Sequence, residues 1–87
     1  MHAVVVRVTI NEQDAALERL RSDVVPRVSQ APGFVNGYWL RKDNSGLSVL
    51  LFDSEDTAKQ ASDRVPETIA GGVTLEGVEI REVVAQA

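Results

Sequence analysis

The chain has 87 residues, a net charge of −4 and no cysteine. This is the length of one domain, so we expect a single domain over residues 1–87. The acidic balance argues against a nucleic-acid binder or a polybasic membrane surface, because both need clustered positive charge. With no cysteine and with His2 as its one histidine, the chain cannot build a disulfide framework or a thiolate or all-histidine metal site. No apolar run reaches the roughly 20 residues of a membrane span or the ~7 of a signal-peptide core, so we expect a cytoplasmic protein.

The first two predicted elements are a strand and an amphipathic helix. Between His2 and Ile10, apolar β-branched side chains occupy every second position, which predicts a strand. An apolar stripe from Leu17 to Val28 predicts the first helix, with Asn11 as its N-cap. Because proline removes a helical hydrogen bond, we expect Pro26 to kink or loosen this helix around residues 22–25. Its outer face is predicted to hold Glu18, Arg19, Arg21 and Asp23.

A hairpin follows. Phe34 to Lys42 is rich in aromatic and β-branched residues and is predicted as the second strand. The turn formers at 43–46, Asp-Asn-Ser-Gly, predict the reversal. Leu47 to Phe52 is a nearly unbroken apolar run, which is typical of a strand with a central place in the sheet.

A second helix and a last strand complete the predicted elements. The helix covers residues 54–65, is capped by Asp53 or Ser54, and ends before Pro66. Gly71 and Gly72 mark a loop. The strand from Val73 to Val84 carries many charges, which favours an edge position.

The order β-α-β-β-α-β predicts an α+β, ferredoxin-like sandwich with a four-stranded antiparallel sheet and both helices on one face. The other face would expose Ala3, Val5, Trp39 and one of two third-strand sets, either Leu47, Val49 and Leu51 or Leu50 and Phe52. Such a patch favours a homodimer that packs two sheets face to face. The sequence does not decide whether Tyr38 or Trp39 faces the helices.

Two segments carry a resemblance to a known family. They are Ala31-Pro32-Gly33-Phe34-Val35-Asn36-Gly37 and Phe52-Asp53-Ser54-Glu55-Asp56-Thr57-Ala58. The chain resembles the antibiotic-biosynthesis-monooxygenase-like (ABM) group of dimeric α+β barrels, whose members share a Pro-Gly-Phe at the second strand and a third strand that runs into a Ser-capped helix. The group includes oxygenases that need neither metal nor cofactor. Haem-degrading relatives use Asn, Trp and His at positions that here hold Val4 to Val6, Phe52 and a second helix without histidine, so the resemblance implies no haem degradation.

Six residues are candidates for a pocket, and no catalytic residue is assigned. Quinol-oxidising relatives surround an aromatic substrate with Trp, Asn, Tyr and Arg, and the corresponding residue types here are Trp39, Asn36, Tyr38 and Arg7. His2 is a candidate general base, because a neutral imidazole can accept a proton from a substrate, and Phe52 completes the set. Structural alternatives are a frayed strand end for His2, core or interface packing for Trp39, and an ion pair with Glu76 or Glu79 for Arg7.

Three functions follow from these predictions. The first is a homodimeric α+β barrel protein, similar to cofactor-independent ABM monooxygenases, that binds or oxidises a small aromatic or hydrophobic metabolite. The second is a non-catalytic dimeric module for binding or assembly. A third, the ferredoxin-like amino-acid-sensing module, predicts edge-to-edge dimers. The sequence does not decide whether the protein is an enzyme.

Overall fold

The protein forms one antiparallel sheet with helices packed on one face. The structure, a computed structural model, describes residues 1–68 and 72–87. Its strands are β1 (His2–Ile10), β2 (Phe34–Lys42), β3 (Ser45–Phe52) and β4 (Val73–Glu82), in the spatial order β2-β3-β1-β4. Its helices are α1 (Gln13–Arg19), α2 (Val25–Ser29) and α3 (Glu55–Thr68), and a π-helical turn (Leu20–Val24) joins α1 to α2. This arrangement confirms the predicted ferredoxin-like fold.

The first helical stretch, from α1 through the π-helical turn to α2, is loosened where Pro26 predicts it. The backbone N–H of Val25 donates to the carbonyl of Leu20, five residues back. This wider turn lies directly before the proline, which has no N–H of its own to donate to the preceding turn. The loosening is therefore confirmed, and it takes the form of an inserted π turn.

The predicted N-cap of that stretch is wrong. Glu12 occupies the cap position and makes no side-chain hydrogen bond there. The Asn11 side chain instead donates to Thr74 Oγ1 at 2.9 Å, and the backbone N–H of Asn11 donates to the Gly72 carbonyl at 2.7 Å. Asn11 thus ties the end of β1 to the start of β4, which leaves its side chain unavailable for the helix.

The strand positions agree with the prediction, and some boundaries move. β3 lies inside the sheet and β4 lies at its edge, as expected. The hairpin reverses over two residues, Asp43 and Asn44, with Asp43 at a φ of 54°. In β4, Gly77 pairs with Arg7 and Leu75 pairs with Val8, so Glu76 is the extra residue of a bulge. This bulge explains the irregular alternation of the last strand.

The second predicted helix is capped by Ser54, as expected, since its Oγ accepts the Thr57 N–H at 3.2 Å. The helix α3 continues through Pro66 to Thr68 instead of ending before the proline. Of the predicted glycine loop, Gly71 lies outside the described residues and Gly72 has a φ of 89°.

The core lies between the sheet and α3. Its buried side chains come from β1, β3 and α3, namely Val4, Val6, Leu50, Phe52, Ala58 and Val65. The first helical stretch contributes no buried residue. In the part of the chain that the structure describes, no helix combines the length and apolar character needed to cross a membrane.

The face of the sheet without helices, called here the open face, is apolar in its middle. Pairing registers place Val5 beside Val49 and Ala3 beside Leu51 on this face. Tyr38 and Leu40 of β2 lie on it with relative exposures of 57% and 52%. Trp39, which was expected on this face, lies on the opposite one, because it pairs with Ser48 beneath the helices.

Candidate functional site: a cleft between the helices and the sheet

A cleft of about 590 Å³ separates the first helical stretch from the sheet. It forms because α3 packs closely against the sheet and the first helical stretch does not. Ala58 and Val65 of α3 are buried against the sheet, whereas no residue of the first helical stretch is buried. The space between that stretch, β1, β2 and α3 is therefore open to a ligand.

The walls of the cleft are mostly apolar. The sheet supplies the floor, and the first helical stretch and α3 supply the sides. Apolar lining residues include Val6, Val8, Leu50, Leu17, Leu20, Val24, Val28, Ala61 and Val65. A wall of this kind excludes water from whatever lies against it and favours a hydrophobic ligand.

Trp39 lies on the cleft floor, and Gly37 makes room for it. A Cβ atom at Gly37 would lie 2.9 Å from Cη2 of the Trp39 indole and 3.1 Å from the Phe34 ring. The indole therefore lies directly over the Gly37 backbone, two residues away on the same face of β2. Among the described residues its Nε1–H has no hydrogen-bond acceptor. Trp39 thus offers a ligand a broad aromatic surface and a donor.

The charged residues of the cleft are all arginines. Arg21, Arg27, Arg41 and Arg64 are exposed and line it, and no Asp, Glu or His is among the described lining residues. Arg27 is paired with Asp23 at 2.9 Å. Arg21, Arg41 and Arg64 have no carboxylate within 4.0 Å in the described parts of the chain. The cleft is therefore electropositive although the chain is acidic.

The structure brings two of the six predicted pocket residues to the cleft. Trp39 and Phe52 line it. Asn36 and Tyr38 lie on the open face, since they pair with Leu51 and Val49 of β3. His2 and Arg7 do not line the cleft either, so the predicted set is divided between the two faces of the sheet.

His2 belongs to a regular strand, so the expectation of a frayed strand end is wrong. It pairs with Phe52 and Glu82 in the sheet, and its side chain is 19% exposed. Its Nε2 lies 3.5 Å from Glu55 Oε2 at the start of α3. Its Nδ1 is buried without a hydrogen-bond partner among the described residues.

Arg7 lies on the open face and crosses over β4. Its Nη2 would be 2.7 Å from a Cβ at Gly77, so the missing side chain of Gly77 provides the space for the guanidinium. The predicted ion pair with Glu76 or Glu79 is wrong: no carboxylate lies within 4.0 Å of Arg7 among the described residues. Glu79 instead accepts two hydrogen bonds from Arg81, at 3.0 and 3.1 Å.

The cleft arginines were not predicted, and Arg21 was expected on the outer face of its helix. A signal for them exists in the sequence. Arg21 follows Leu17 by four residues and Arg64 follows Ala61 by three. Both therefore share a helix face with an apolar stripe, an unusual place for a charge.

The described residues contain no group of three or more His, Cys, Asp or Glu side chains that could hold a metal ion. The donor set of the cleft, arginines and amides beside apolar groups, also offers no oxygen or sulfur anion to a cation. Its polar groups suit an organic ligand.

No family model matches the chain, and no curated protein sequence matches it. Among solved structures, the chain is similar to a dimeric ferredoxin-like protein from an uncultured marine organism, with a TM-score of 0.63 and 11% sequence identity. The alignment covers 100% of this chain and 98% of the other. At this identity the likeness concerns the fold alone, and it establishes that the chain has a ferredoxin-like fold.

Proposed function

We propose that the protein is a cytoplasmic homodimer of the ABM-like α+β barrel type whose cleft binds a small aromatic or hydrophobic metabolite. The observation that carries the proposal is the cleft itself. Its volume of about 590 Å³ falls within the roughly 300–1,000 Å³ of small-molecule sites. Its walls are apolar, and Trp39 provides both an aromatic face and a free donor.

The open face supports the homodimer. Tyr38 and Leu40 are more than half exposed, and the half-buried Val5, Val49 and Leu51 lie beside them. A second copy packed on this face would cover the patch, as sheets pack face to face in sandwiches. The solved neighbour of the same fold is a dimeric protein, which is a precedent for dimerisation of this fold.

The cleft favours binding over oxidation. Oxidation without a cofactor requires a base that removes a proton from the substrate. The described lining residues include no imidazole or carboxylate, and a guanidinium stays protonated at neutral pH. Asn36 and Tyr38, which the oxygenase hypothesis needs near the substrate, lie on the other face of the sheet. We therefore propose a binding module and treat monooxygenation as the competing hypothesis.

Native mass spectrometry of the purified protein tests both halves of the proposal. We expect a dimer that carries a reproducible small-molecule adduct. The variant Ala61→Trp should remove the adduct and keep the dimer, because Ala61 lines the cleft and is not on the open face. Gln60→Trp, on the exposed side of the same helix, is the matched control and should keep the adduct. An adduct that survives Ala61→Trp would place the ligand outside the cleft.

The dimer interface has its own test. Val49→Asp puts a charge in the middle of the open face, where burial of an unpaired carboxylate opposes association. We expect this variant to elute as a monomer in size-exclusion chromatography. Trp39→Ala should remain dimeric, because Trp39 faces the helices. A dimeric Val49→Asp would contradict the face-to-face arrangement and would favour edge-to-edge association.

Oxygen consumption separates binding from oxidation. A panel of quinols and polyphenols should give no protein-dependent oxygen uptake. Uptake that Trp39→Ala abolishes would instead establish the monooxygenase hypothesis.

A further inference from the structure

The charge of the cleft is opposite to the charge of the chain. The protein carries a net charge of −4, yet four of its nine basic side chains line the cleft and no acidic side chain is among the described lining residues. We infer that the site takes a hydrophobic anion: a molecule with an aromatic or aliphatic body and one carboxylate or similar acidic group. This inference rests on the proposed binding function and specifies its ligand class.

Local ion pairing does not account for these arginines. Arg19 and Arg27 lie within 3.4 Å of Asp23 on the same helical stretch, and Arg81 lies 3.0 Å from Glu79 on its own strand. Arg21, Arg41 and Arg64 have no such partner among the described residues, although Arg21 follows Glu18 by three residues on the same helical stretch. Three guanidinium groups therefore remain available at the rim of one cleft, and each can donate two parallel hydrogen bonds to a carboxylate.

The three arginines come from three separate elements that surround the cleft. Arg21 lies on the π-helical turn, Arg41 on β2 and Arg64 on α3. The π-helical turn also supplies Leu20 and Val24 to the apolar wall, and such turns are frequent at functional sites. A ligand whose body lies on the apolar wall and Trp39 would thus have three cations, each on a different element, available for its acidic group.

The apolar wall increases the effect of these charges. Ion pairs that are fully exposed to water contribute little, because water and salt screen them. A ligand body that fills the cleft excludes water from one side of the arginines, which lowers the local dielectric constant and strengthens the attraction. The same hydrophobic body should therefore bind more tightly with an anionic group than without it.

A matched pair of fluorescent probes tests this inference. The probes are 1-anilinonaphthalene-8-sulfonate and N-phenyl-1-naphthylamine, which share one aromatic skeleton and differ by the sulfonate. We expect the anionic probe to bind at least about tenfold more tightly at low salt, and 1 M NaCl should remove most of this preference. Ala61→Trp should weaken the binding of both probes, which assigns them to the cleft.

Charge-removing variants identify the groups responsible. Arg64→Gln and Arg21→Gln should each weaken the binding of the anionic probe by roughly three- to tenfold and change the binding of the neutral probe by less than about twofold. Lys59→Gln on α3 and Arg19→Gln on α1 are matched controls, because both positions are exposed and neither lines the cleft. These controls should leave both affinities unchanged.

The outcomes distinguish the two proposals. Equal affinities for the two probes, both reduced by Ala61→Trp, would overturn the anion inference and leave the binding function intact. An anionic preference that the control variants reduce as much as the cleft variants would also overturn it, because the preference would then reflect overall charge. Binding of neither probe, or binding that Ala61→Trp does not affect, would overturn both proposals.

Discussion

Gly33→Ala should destabilise the protein more than Gly72→Ala, the same change at the other glycine of positive φ among the described residues. Gly33 has a φ of 76° and lies between α2 and β2. Its carbonyl accepts the backbone N–H of Asp53 at 2.9 Å. An added Cβ would collide with Asp53 Oδ1 and would lie 2.6 and 2.8 Å from Oγ1 and Cβ of Thr57. The substitution therefore disturbs both its own turn and the first turn of α3.

The expected magnitude is the sum of two costs. A non-glycine residue in the left-handed region costs about 1–2 kcal/mol. The collision must also push the turn away from α3, which weakens the Asp53 backbone bond and the hydrogen bond that Thr57 Oγ1 donates to Asp53 Oδ1 at 3.0 Å. Hydrogen bonds of this kind contribute about 1 kcal/mol each. We expect the free energy of unfolding to fall by roughly 2–4 kcal/mol.

Urea denaturation followed by circular dichroism at a fixed protein concentration measures this loss. Gly72→Ala is the matched control. Gly72 has a comparable φ of 89°, but the nearest atom to its added Cβ is the Glu12 carbonyl oxygen at 3.2 Å. The control should lose only about 1–2 kcal/mol. Equal losses in the two variants would refute the idea that contact with Asp53 and Thr57 makes Gly33 necessary.

Two further substitutions address the cap and the core. Ser54→Ala removes the acceptor of the Thr57 N–H and should lower the free energy of unfolding by about 1 kcal/mol, measured by urea denaturation. The control is Ser29→Ala, because the Ser29 hydroxyl only donates back to the Val25 carbonyl at 2.6 Å, and its loss should be less than about 0.5 kcal/mol. Equal losses would contradict the capping role of Ser54. Phe52→Ala removes a side chain with 0% exposure and its edge-to-face contact with Phe34, whose ring centroid lies 5.9 Å away. We expect the free energy of unfolding to fall by about 3–5 kcal/mol. At about 4–8 °C per kcal/mol, the melting temperature should fall by at least about 10 °C. A loss below about 1.5 kcal/mol would mean that the core collapses around the missing ring.

The order of the elements was predictable because it depends on local periodicity. Alternation with period two marks β1, and spacings of three and four mark the helices. The apolar run of β3 indicated its inner position. Pro26 indicated the loosened turn because its effect depends only on its own missing N–H. Each of these signals acts within a few residues along the chain.

The faces of β2 depend on contacts that are distant in sequence. Tyr38 and Trp39 are adjacent aromatic residues, so alternation alone fits either orientation. The pairing of β2 with β3 decides between them, and its register shifts between Phe34 and Asn36. A bulge of this kind moves every later side chain to the other face relative to a regular strand. For this reason the sequence could not decide which face of β2 meets the cleft, although alternation alone already separates Trp39 from Asn36 and Tyr38.

The predicted partners of two polar side chains were wrong for a related reason. Asn11 has the composition of an N-cap, but its partner Thr74 lies 63 residues away. Arg7 was expected to meet Glu76 or Glu79, but Glu76 is the bulge residue of β4 and Glu79 pairs with Arg81 on the same strand face. For Asn11 the partner comes from a distant strand, whereas Glu79 meets an arginine two residues away on its own strand instead of Arg7. Local sequence indicates what a polar side chain can do, and the fold determines which partner it meets.

The cleft and the small size of the core have a common cause. The first helical stretch keeps its apolar stripe on the cleft and buries none of its residues fully, so a small domain forgoes part of its hydrophobic stabilisation. A ligand in the cleft would restore that burial, and a partner on the open face would add more. Ligand binding to the native state raises the free energy of unfolding by about 2.7 kcal/mol at a ligand concentration of 100 Kd. The incomplete packing that makes the isolated chain less stable is therefore the same feature that makes it able to respond to a ligand.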